Sequence, residues 1–281
     1  MELARLNRLF NSHSGRVLDV AVDHGFFGEA SMIRGIEDMA AVVDGLVAAE
    51  PDAIQLTLGQ APLLQRVPGK QKPSLVMRAD VANVYGRPLE DHLFSQHVPD
   101  AIEKAVRLDA AAVCMNLLQL PERPEIRESC IHSIMTLRRE AERFGMPLMV
   151  EPLVMQGSDS EGYGVDGDID KIVPLVRQAV ELGADLIKAD PADDLDQYHR
   201  VIEVAGDVPV LVRGGGRVSD RILLERTVAV LGQGARGIVY GRNIVQHPNP
   251  PGITQALMSV LHHDAGVDEA LEMLGGGDGH E

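Results

Sequence analysis

The sequence has little of what marks secreted or membrane proteins. Its two cysteines, Cys114 and Cys130, are too few for a disulfide framework and indicate buried thiols in a reducing compartment. No apolar run approaches the ~18 residues of a transmembrane helix. The opening stretch "MELARLNRLF" also lacks the continuous apolar core of a signal peptide. We therefore predict a cytoplasmic protein with no membrane partner.

Basic residues are scarce as well. The chain has 26 lysines and arginines against 42 acidic residues, and its net charge of −16 argues against a nucleic-acid partner. A small anion can still bind in a local basic pocket. Only five residues are lysines: Lys70 and Lys72 lie in a Gly/Pro loop, and Lys104 and Lys171 fall on polar faces of helical segments. Lys188, in "GADLIKADPADD", instead ends an apolar run.

Short apolar runs alternate with helical patterns along the whole chain. They are near-continuously hydrophobic, as strands covered on both faces should be, and they span 16–22, 52–58, 74–79, 111–117, 147–153, 184–189, 208–213 and 236–241. Two helices are clear, one ended by Gly183 and one with Ser219 as its N-cap. The interval between the second and third runs is too irregular to predict a regular helix.

Eight strand–helix units predict an α/β fold of the (β/α)8 TIM-barrel type. The first run is followed by "DHGFFGEAS", which is not the Gly-rich fingerprint of an open doubly wound sheet. We expect one barrel domain over 1–281, with a lead-in at 1–15 and a flexible tail at about 274–281.

In such barrels the active site lies at the carboxyl ends of the strands. Lys188 ends the sixth run, where it is either a Schiff-base nucleophile or a rim lysine paired with Asp190 or Asp193. A lysine has a pKa of about 10.4 in water, and desolvation lowers it toward a reactive free amine. The aspartates that follow must then turn aside, because they favour the ammonium.

Other strand ends supply candidate partners. Asp23 and Glu151 are either proton-transfer groups or polar rim residues. Arg78 ends the third run and is a candidate substrate ligand. His24 is predicted to have a structural or a substrate-contact role, since no second ligand at metal spacing accompanies it. His262, with its neighbour in the last long helix, is predicted to lie on the surface.

Two glycine-rich turns follow the seventh and eighth runs, "RGGGR" and "GRN". Glycine triplets alone are often plain turns, but backbone amides in such turns approach anions closely, and phosphate sites occupy these two positions in many barrels. We therefore predict a phosphate site with Arg242 and either Arg213 or Arg217 as cations, together with Gly214, Gly215, Gly216, Gly241 and Asn243.

The segments "VAVDHGFFGE", "ELGADLIKADPADD", "VPVLVRGGG" and "GARGIVYGRNIVQHPNP" resemble the class I, Schiff-base aldolases of the archaeal fructose-bisphosphate aldolase group. That group lies within the deoxyribose-phosphate/tagatose-bisphosphate aldolase superfamily. The resemblance covers most of the chain and is most specific over 165–271. It implies a Schiff base on Lys188, acid–base catalysis by Asp23, substrate phosphate on the two glycine turns, no metal or other cofactor, and a homo-oligomer.

One motif departs from the archaeal pattern. Archaeal-type members carry a strand-five tyrosine as proton donor, whereas this chain reads "VEPLVMQG". It is more similar there to tagatose-bisphosphate and sulfosugar-phosphate aldolases, in which a glutamate serves, so the resemblance assigns the role to Glu151. Tyr85, Tyr163 and Tyr240 are alternative donors.

The expected function is that of a carbon–carbon lyase acting on a phosphorylated ketose of the fructose-bisphosphate kind, with a dihydroxyacetone-phosphate-like product. Alternatives are aldolases for tagatose bisphosphate, sulfofructose phosphate or deoxyribose phosphate, a 2-amino-3,7-dideoxyheptulosonate synthase, and a thiolase for phosphorylated autoinducer-2. A non-catalytic sugar-phosphate sensor is the alternative from another class. A zinc-dependent aldolase is disfavoured because no ligand cluster is visible.

Overall fold

The computed structural model describes residues 2–69, 71–85 and 89–275. Of the predicted tail, 276–281 lie outside the described residues. Strands in the described part are β1 Val17–Ala21, β2 Ala53–Thr57, β3 Ser74–Arg78, β4 Asp80–Ala82, β5 Ser95–His97, β6 Ala112–Gln119, β7 Leu148–Ser158, β8 Gly162–Val165, β9 Leu186–Ala189, β10 Val210–Arg213 and β11 Gly237–Tyr240.

Eight of these strands close into a parallel barrel. The order around it is β1, β2, β3, β6, β7, β9, β10 and β11, and β11 pairs again with β1. Each barrel strand falls on one of the eight apolar runs, and consecutive barrel strands are neighbours. The predicted (β/α)8 fold is therefore confirmed.

Helices surround the barrel and follow most of its strands. They are α1 Glu2–Leu9, α2 Met39–Ala49, α3 Ala61–Arg66, α4 Ala101–Arg107, α5 Pro124–Phe144, α6 Ile169–Glu181, α7 His199–Ala205, α8 Asp220–Gly232, α9 Arg242–Val245, α10 Pro250–His263 and α11 Val267–Met273. As predicted, Ser219 caps α8 through its side chain, and Gly183 follows α6 with a φ of +89°. The irregular interval holds only the short α3.

Alternating residues of the barrel strands divide the core into two parts. The outward set packs under the helices. The inward set forms a separate, smaller apolar cluster, which Leu9 of α1 joins from outside the barrel strands; its other members are Val17, Ala21, Ala53, Val76, Ala112, Cys114, Met149, Leu186, Leu211 and Val239. Both cysteines are buried and free, as expected. Among the described residues, no helix has the length and apolar character needed to cross a membrane.

Two strands extend beyond the barrel wall. β6 and β7 stay paired from Val113↔Leu148 to Gln119↔Val154, and β7 then folds back antiparallel onto β8. Glu151, which the sequence places at a strand end, therefore lies in mid-strand, opposite Asn116. The apolar run continues past Glu151, so no strand boundary is visible there in the sequence.

The prediction that His262 lies on the surface is wrong. Its side chain is 5% exposed, and its Nε2 lies 2.9 Å from Asp52 Oδ2 while its Nδ1 lies 2.7 Å from Ser14 Oγ. The same Asp52 oxygen accepts the backbone N–H of Leu18 at 2.7 Å. The imidazole thus joins α10 to the loop before β1 and the start of β2.

We expect His262→Ala to lower the free energy of unfolding by about 1–3 kcal/mol, because it leaves buried polar partners unsatisfied. Urea denaturation measures the change. His263→Ala is the matched control, since that neighbouring histidine is exposed, and it should stay within about 0.5 kcal/mol of the parent. Equal effects of the two substitutions would show that the buried contacts carry no stability.

Candidate active site

The amine of Lys188 lies buried among the inward side chains of the barrel. Lys188 is in β9, its side chain is 5% exposed, and Nζ lies 3.1 Å from Glu151 Oε2. Burial acts to lower the pKa of Lys188, but the Glu151 carboxylate opposes it and the pKa lies above its ordinary value. The expectation of a depressed pKa is therefore wrong for the resting site. The carboxylate neighbour comes from another strand, and the sequence does not show it.

Glu151 bridges the lysine to two arginines. Its Oε2 accepts from Arg78 Nη2 at 2.6 Å as well as facing Lys188, and its Oε1 lies 3.7 Å from Arg213 Nε. Burial acts to raise the pKa of Glu151, but these three cations outweigh it and lower the pKa to about 2. Glu151 is therefore a carboxylate next to the only lysine that lines this pocket among the described residues.

Asp23 pairs with the same arginine. Its Oδ2 accepts from Arg78 Nε at 2.7 Å and from Gln55 Nε2 at 2.6 Å, and the residue is 3% exposed. Burial acts to raise the pKa of Asp23, but Arg78 and Lys188 together hold it below its ordinary value. The pocket thus contains two carboxylates, both ionised.

Arg78 has a different environment from that of a phosphate ligand. Besides Asp23 and Glu151, its Nη1 contacts Asp80 Oδ1 at 3.3 Å and Asn116 Oδ1 at 3.4 Å, and its guanidinium lies 5.0 Å from the centre of the Phe26 ring. These contacts occupy its donors on several sides. Arg78 is the centre of an ionic network that holds both carboxylates in place. It also lines the pocket, and its role as a substrate ligand stays a prediction.

The aspartates after Lys188 turn aside, as a nucleophilic lysine requires. Asp190 is fully buried, but its Oδ1 accepts from Arg213 Nη1 at 2.7 Å and its Oδ2 from the N–H of Val154 at 3.1 Å. Asp194 caps a single 3-10 turn further on. Arg213, a predicted phosphate ligand, is therefore ion-paired, and Arg217 is exposed.

The two glycine turns pack tightly against each other. Asn243 Nδ2 donates to the carbonyls of Gly214 at 3.3 Å and Gly216 at 3.2 Å, and Asn243 Oδ1 accepts from the N–H of Val218 at 3.1 Å. A Cβ on Gly241 would lie 2.5 Å from the Ala21 carbonyl oxygen, so only glycine fits there. Asn243 thus fixes the shape of the turns rather than pointing its amide at a ligand.

Arg242 is the pocket cation that has no carboxylate partner among the described residues. Its Nη2 donates to the carbonyl of Gly215 at 3.1 Å. Burial, with nearby Arg213, holds the pKa of Arg242 below its ordinary value without neutralising it. Of the predicted phosphate cations that line the pocket, Arg242 is therefore the one without a carboxylate partner among the described residues, and it is available to bind an anion.

His24 lies beside this turn, at the beginning of the 3-10 helix His24–Phe27. Burial lowers the pKa of His24 to about 4, with Asp23 opposing the shift, so the ring is neutral at pH 7. Its Nε2 is buried and has no hydrogen-bond partner in the described structure. His24 lines the pocket, and a substrate contact for its unpaired ring nitrogen stays a prediction.

The pocket is also lined by apolar residues that were not predicted from the sequence. Phe26, Phe27, Met32 and Leu153 line it, and the Phe27 ring meets the ring of Tyr85 edge-on at 4.5 Å. Of the three alternative tyrosines, Tyr85 alone lines this pocket among the described residues; the others are bonded elsewhere, Tyr163 to Asp159 and Tyr240 to Thr227. Phe26 and Phe27 directly follow the "DHG" motif, and this position in the sequence could have predicted that they line the pocket.

The arrangement suits carbonyl chemistry. A buried primary amine can form an imine, the adjacent carboxylate can move protons, and a free arginine beside the glycine turns can hold an anion. Within the described residues no group of three or more histidine, cysteine, aspartate or glutamate side chains is arranged to hold a metal ion.

Comparison with known proteins agrees with this chemistry. A family described as "DeoC/LacD family aldolase" matches residues 17–247. The chain is 29% identical over 273 residues to an uncharacterised aldolase of Saccharolobus solfataricus, covering 96% of this chain and 97% of the relative. It is 30% identical over 275 residues to a 3-hydroxy-5-phosphonooxypentane-2,4-dione thiolase of Escherichia coli, covering 96% and 85%.

A solved structure shows the same fold. It is an archaeal fructose-1,6-bisphosphate aldolase with its catalytic lysine covalently bound to the carbinolamine intermediate of the substrate; the TM-score is 0.76 at 23% identity, over 93% of this chain and 100% of that one. Because the family matches most of the chain, this protein belongs to the DeoC/LacD family of aldolases.

Proposed function

We propose that the protein is a class I aldolase that cleaves or forms a carbon–carbon bond in a phosphorylated ketose through a Schiff base on Lys188. The observation that carries the proposal is the buried Lys188 amine, 3.1 Å from Glu151. The same pocket is lined by Arg242, which has no carboxylate partner among the described residues. We propose a dihydroxyacetone-phosphate-like product for the ketone half.

The order of the steps follows from the protonation states of Lys188, Glu151 and Asp23. Lys188 first gives up its ammonium proton, the free amine adds to the substrate ketone, and loss of water leaves an iminium ion. A carboxylate, Glu151 or Asp23, then takes the proton of the hydroxyl beyond the scissile bond. The bond breaks, an aldehyde leaves, and the electron pair enters the iminium to give an enamine. Protonation at carbon and hydrolysis release the ketone and the free lysine.

Trapping the imine tests the proposal. Sodium borohydride reduction in the presence of dihydroxyacetone phosphate should attach the three-carbon unit to Lys188, located by mass spectrometry of the digested protein. Label on another lysine, or on none with an active enzyme, contradicts it.

We propose further that the substrate carries one phosphate, at the Arg242 turn. The other pocket cations among the described residues are occupied: Arg78 and Arg213 by carboxylates, and Lys188 as nucleophile. Among the described residues, the remaining wall contains Phe26, Phe27 and Met32 and no further cation. Turnover of fructose 1-phosphate and fructose 1,6-bisphosphate should therefore show no gain from the second phosphate.

Arg242→Gln should raise KM for fructose 1-phosphate by about 10- to 150-fold, since a charged hydrogen bond contributes about 1.5–3 kcal/mol. Little change is expected in kcat, because the phosphate is remote from the bond that breaks. Steady-state kinetics with fructose 1-phosphate and fructose measure the lost selectivity. Arg217→Gln, in the same pair of turns but exposed, is the control. A KM equal to that of the control would place the phosphate elsewhere.

Acyl transfer is the second candidate, because one relative is named as a thiolase for a phosphonooxypentanedione. In that reaction the bond beside the carbonyl is broken and the acyl group passes to a thiol acceptor. Product formation that depends on coenzyme A would favour this activity over aldol cleavage. Binding without turnover in either assay would favour a sugar-phosphate sensor.

A further inference from the structure

Asp19 is a fully buried carboxyl for which the structure provides no partner. It lies in β1 between Val17 and Ala21, with 0% of its surface exposed. Neither of its oxygens has a hydrogen bond within the described residues. A carboxylate in such surroundings opposes folding, so Asp19 is not explained by stability.

Val17 and Ala21, which flank Asp19, belong to the inward cluster, so Asp19 faces the barrel interior with them. Burial raises the pKa of Asp19 to about 7, with Lys188 as the largest opposing influence. The ionisable groups that influence it from the surrounding strands are Lys188, Asp23, Arg78 and Glu151. Those that influence Lys188 are Glu151, Cys114, Arg78 and Asp23.

We propose that Asp19 is a positioning residue for Schiff-base formation: through its own charge it controls how readily the ammonium of Lys188 gives up its proton. The inference rests on the proposed role of Lys188. When Asp19 is protonated, it adds no negative charge to the interior. When it ionises, a third carboxylate, besides Glu151 and Asp23, stabilises the ammonium, and the free amine becomes rarer.

The charge of Asp19 changes in the physiological range, whereas the other carboxylates of the pocket do not. The pKa of Glu151 is lowered to about 2, and that of Asp23 is lowered also. Burial also raises the pKa of Asp190, to about 6, but that carboxyl is held by Arg213 and by the N–H of Val154. Asp19 is the inward carboxyl whose two oxygens have no hydrogen-bond partner among the described residues, so nothing but its own protonation sets its charge.

The test compares wild type with Asp19→Asn, which keeps the shape and removes the charge. Imine formation with dihydroxyacetone phosphate is measured at several pH values from 5.5 to 8.5. At each pH, samples are quenched with borohydride at successive times. At the acid end both proteins have a neutral group at this position, and the rates should agree. At pH 8.5 the variant should form the imine about three- to tenfold faster, because the nearby negative charge is gone.

Stability supplies a readout independent of catalysis. The pKa of Asp19 is higher in the folded than in the unfolded state, so protonation of Asp19 stabilises the folded wild type. That stabilisation is lost as the pH rises from about 4 to about 7. Asp19→Asn removes this loss. Its melting temperature should therefore exceed that of wild type increasingly across this range, and level off above it.

Asp207→Asn is the control, because it removes one exposed carboxylate of the same type; it should change neither profile. Asp19→Ala serves if the asparagine variant does not fold. A rate ratio independent of pH, or slower imine formation at pH 8.5, would overturn the inference while leaving the aldolase proposal intact. A wild type that forms no imine on Lys188 at any pH would overturn both.

Discussion

Replacing Lys188 with methionine is expected to reduce kcat/KM for fructose 1-phosphate by about 10⁴-fold or more. No other group in the described pocket can form the iminium that accepts electrons when the bond breaks. Methionine fills nearly the same volume, so the change removes the amine without opening a cavity. Initial-rate assays and borohydride labelling measure the two losses together.

Two further variants make this result specific. Lys188→Arg keeps a positive charge beside Glu151 but provides no nucleophile, and it should be as inactive as Lys188→Met. Lys171→Met removes a half-exposed lysine that pairs with Asp166 at 2.6 Å, and it should retain full activity. An active Lys188→Met variant with normal melting would exclude the Schiff-base mechanism.

Glu151→Gln is expected to slow carbon–carbon cleavage by about 10²- to 10⁴-fold, the usual contribution of a positioned acid–base group. Its effect on the amine should have the opposite sign. The Glu151 carboxylate raises the pKa of Lys188, so the amide variant should lower that pKa and form the imine at least as fast as wild type at pH 7. Single-turnover cleavage and borohydride trapping separate the two steps.

The control for this variant is Glu161→Gln, an exposed glutamate in the turn between β7 and β8, which should change neither step. Thermal melting must show that Glu151→Gln remains folded, because Arg78 loses one of its carboxylate contacts. Equal loss in both steps would assign Glu151 to amine attack alone. Unchanged cleavage would transfer the role to Asp23.

The barrel was predictable because its evidence is local. Each strand has its own apolar run, Ser219 caps its own helix, and Gly183 ends its own helix, so no long-range contact is needed to recognise these elements. His262 shows what local sequence evidence does not predict. Its place in α10 was predictable, but its burial depends on Asp52 and Ser14, which are remote in sequence.

In the candidate site, too, local features were predictable and long-range contacts were not. Polar residues at strand ends gave Lys188, Asp23 and Glu151 without the structure, because barrel strands end at one common mouth. The contacts among these side chains could not be predicted from the sequence. Arg78 was a candidate ligand in the sequence and proved to be the centre of the ionic network.

By itself, the sequence determined the eight-stranded barrel, the family resemblance and the charged residues that line the pocket. Only the tertiary structure decided how the interior charges are paired. Lys188 is an ammonium beside Glu151 and Arg213 is paired with Asp190, whereas, within the described residues, Arg242 has no carboxylate partner and Asp19 has no hydrogen-bond partner. The physical reason is that a buried group's pKa and binding capacity depend on burial and on neighbours within a few ångströms. In a closed barrel those neighbours come from different strands, far apart along the chain.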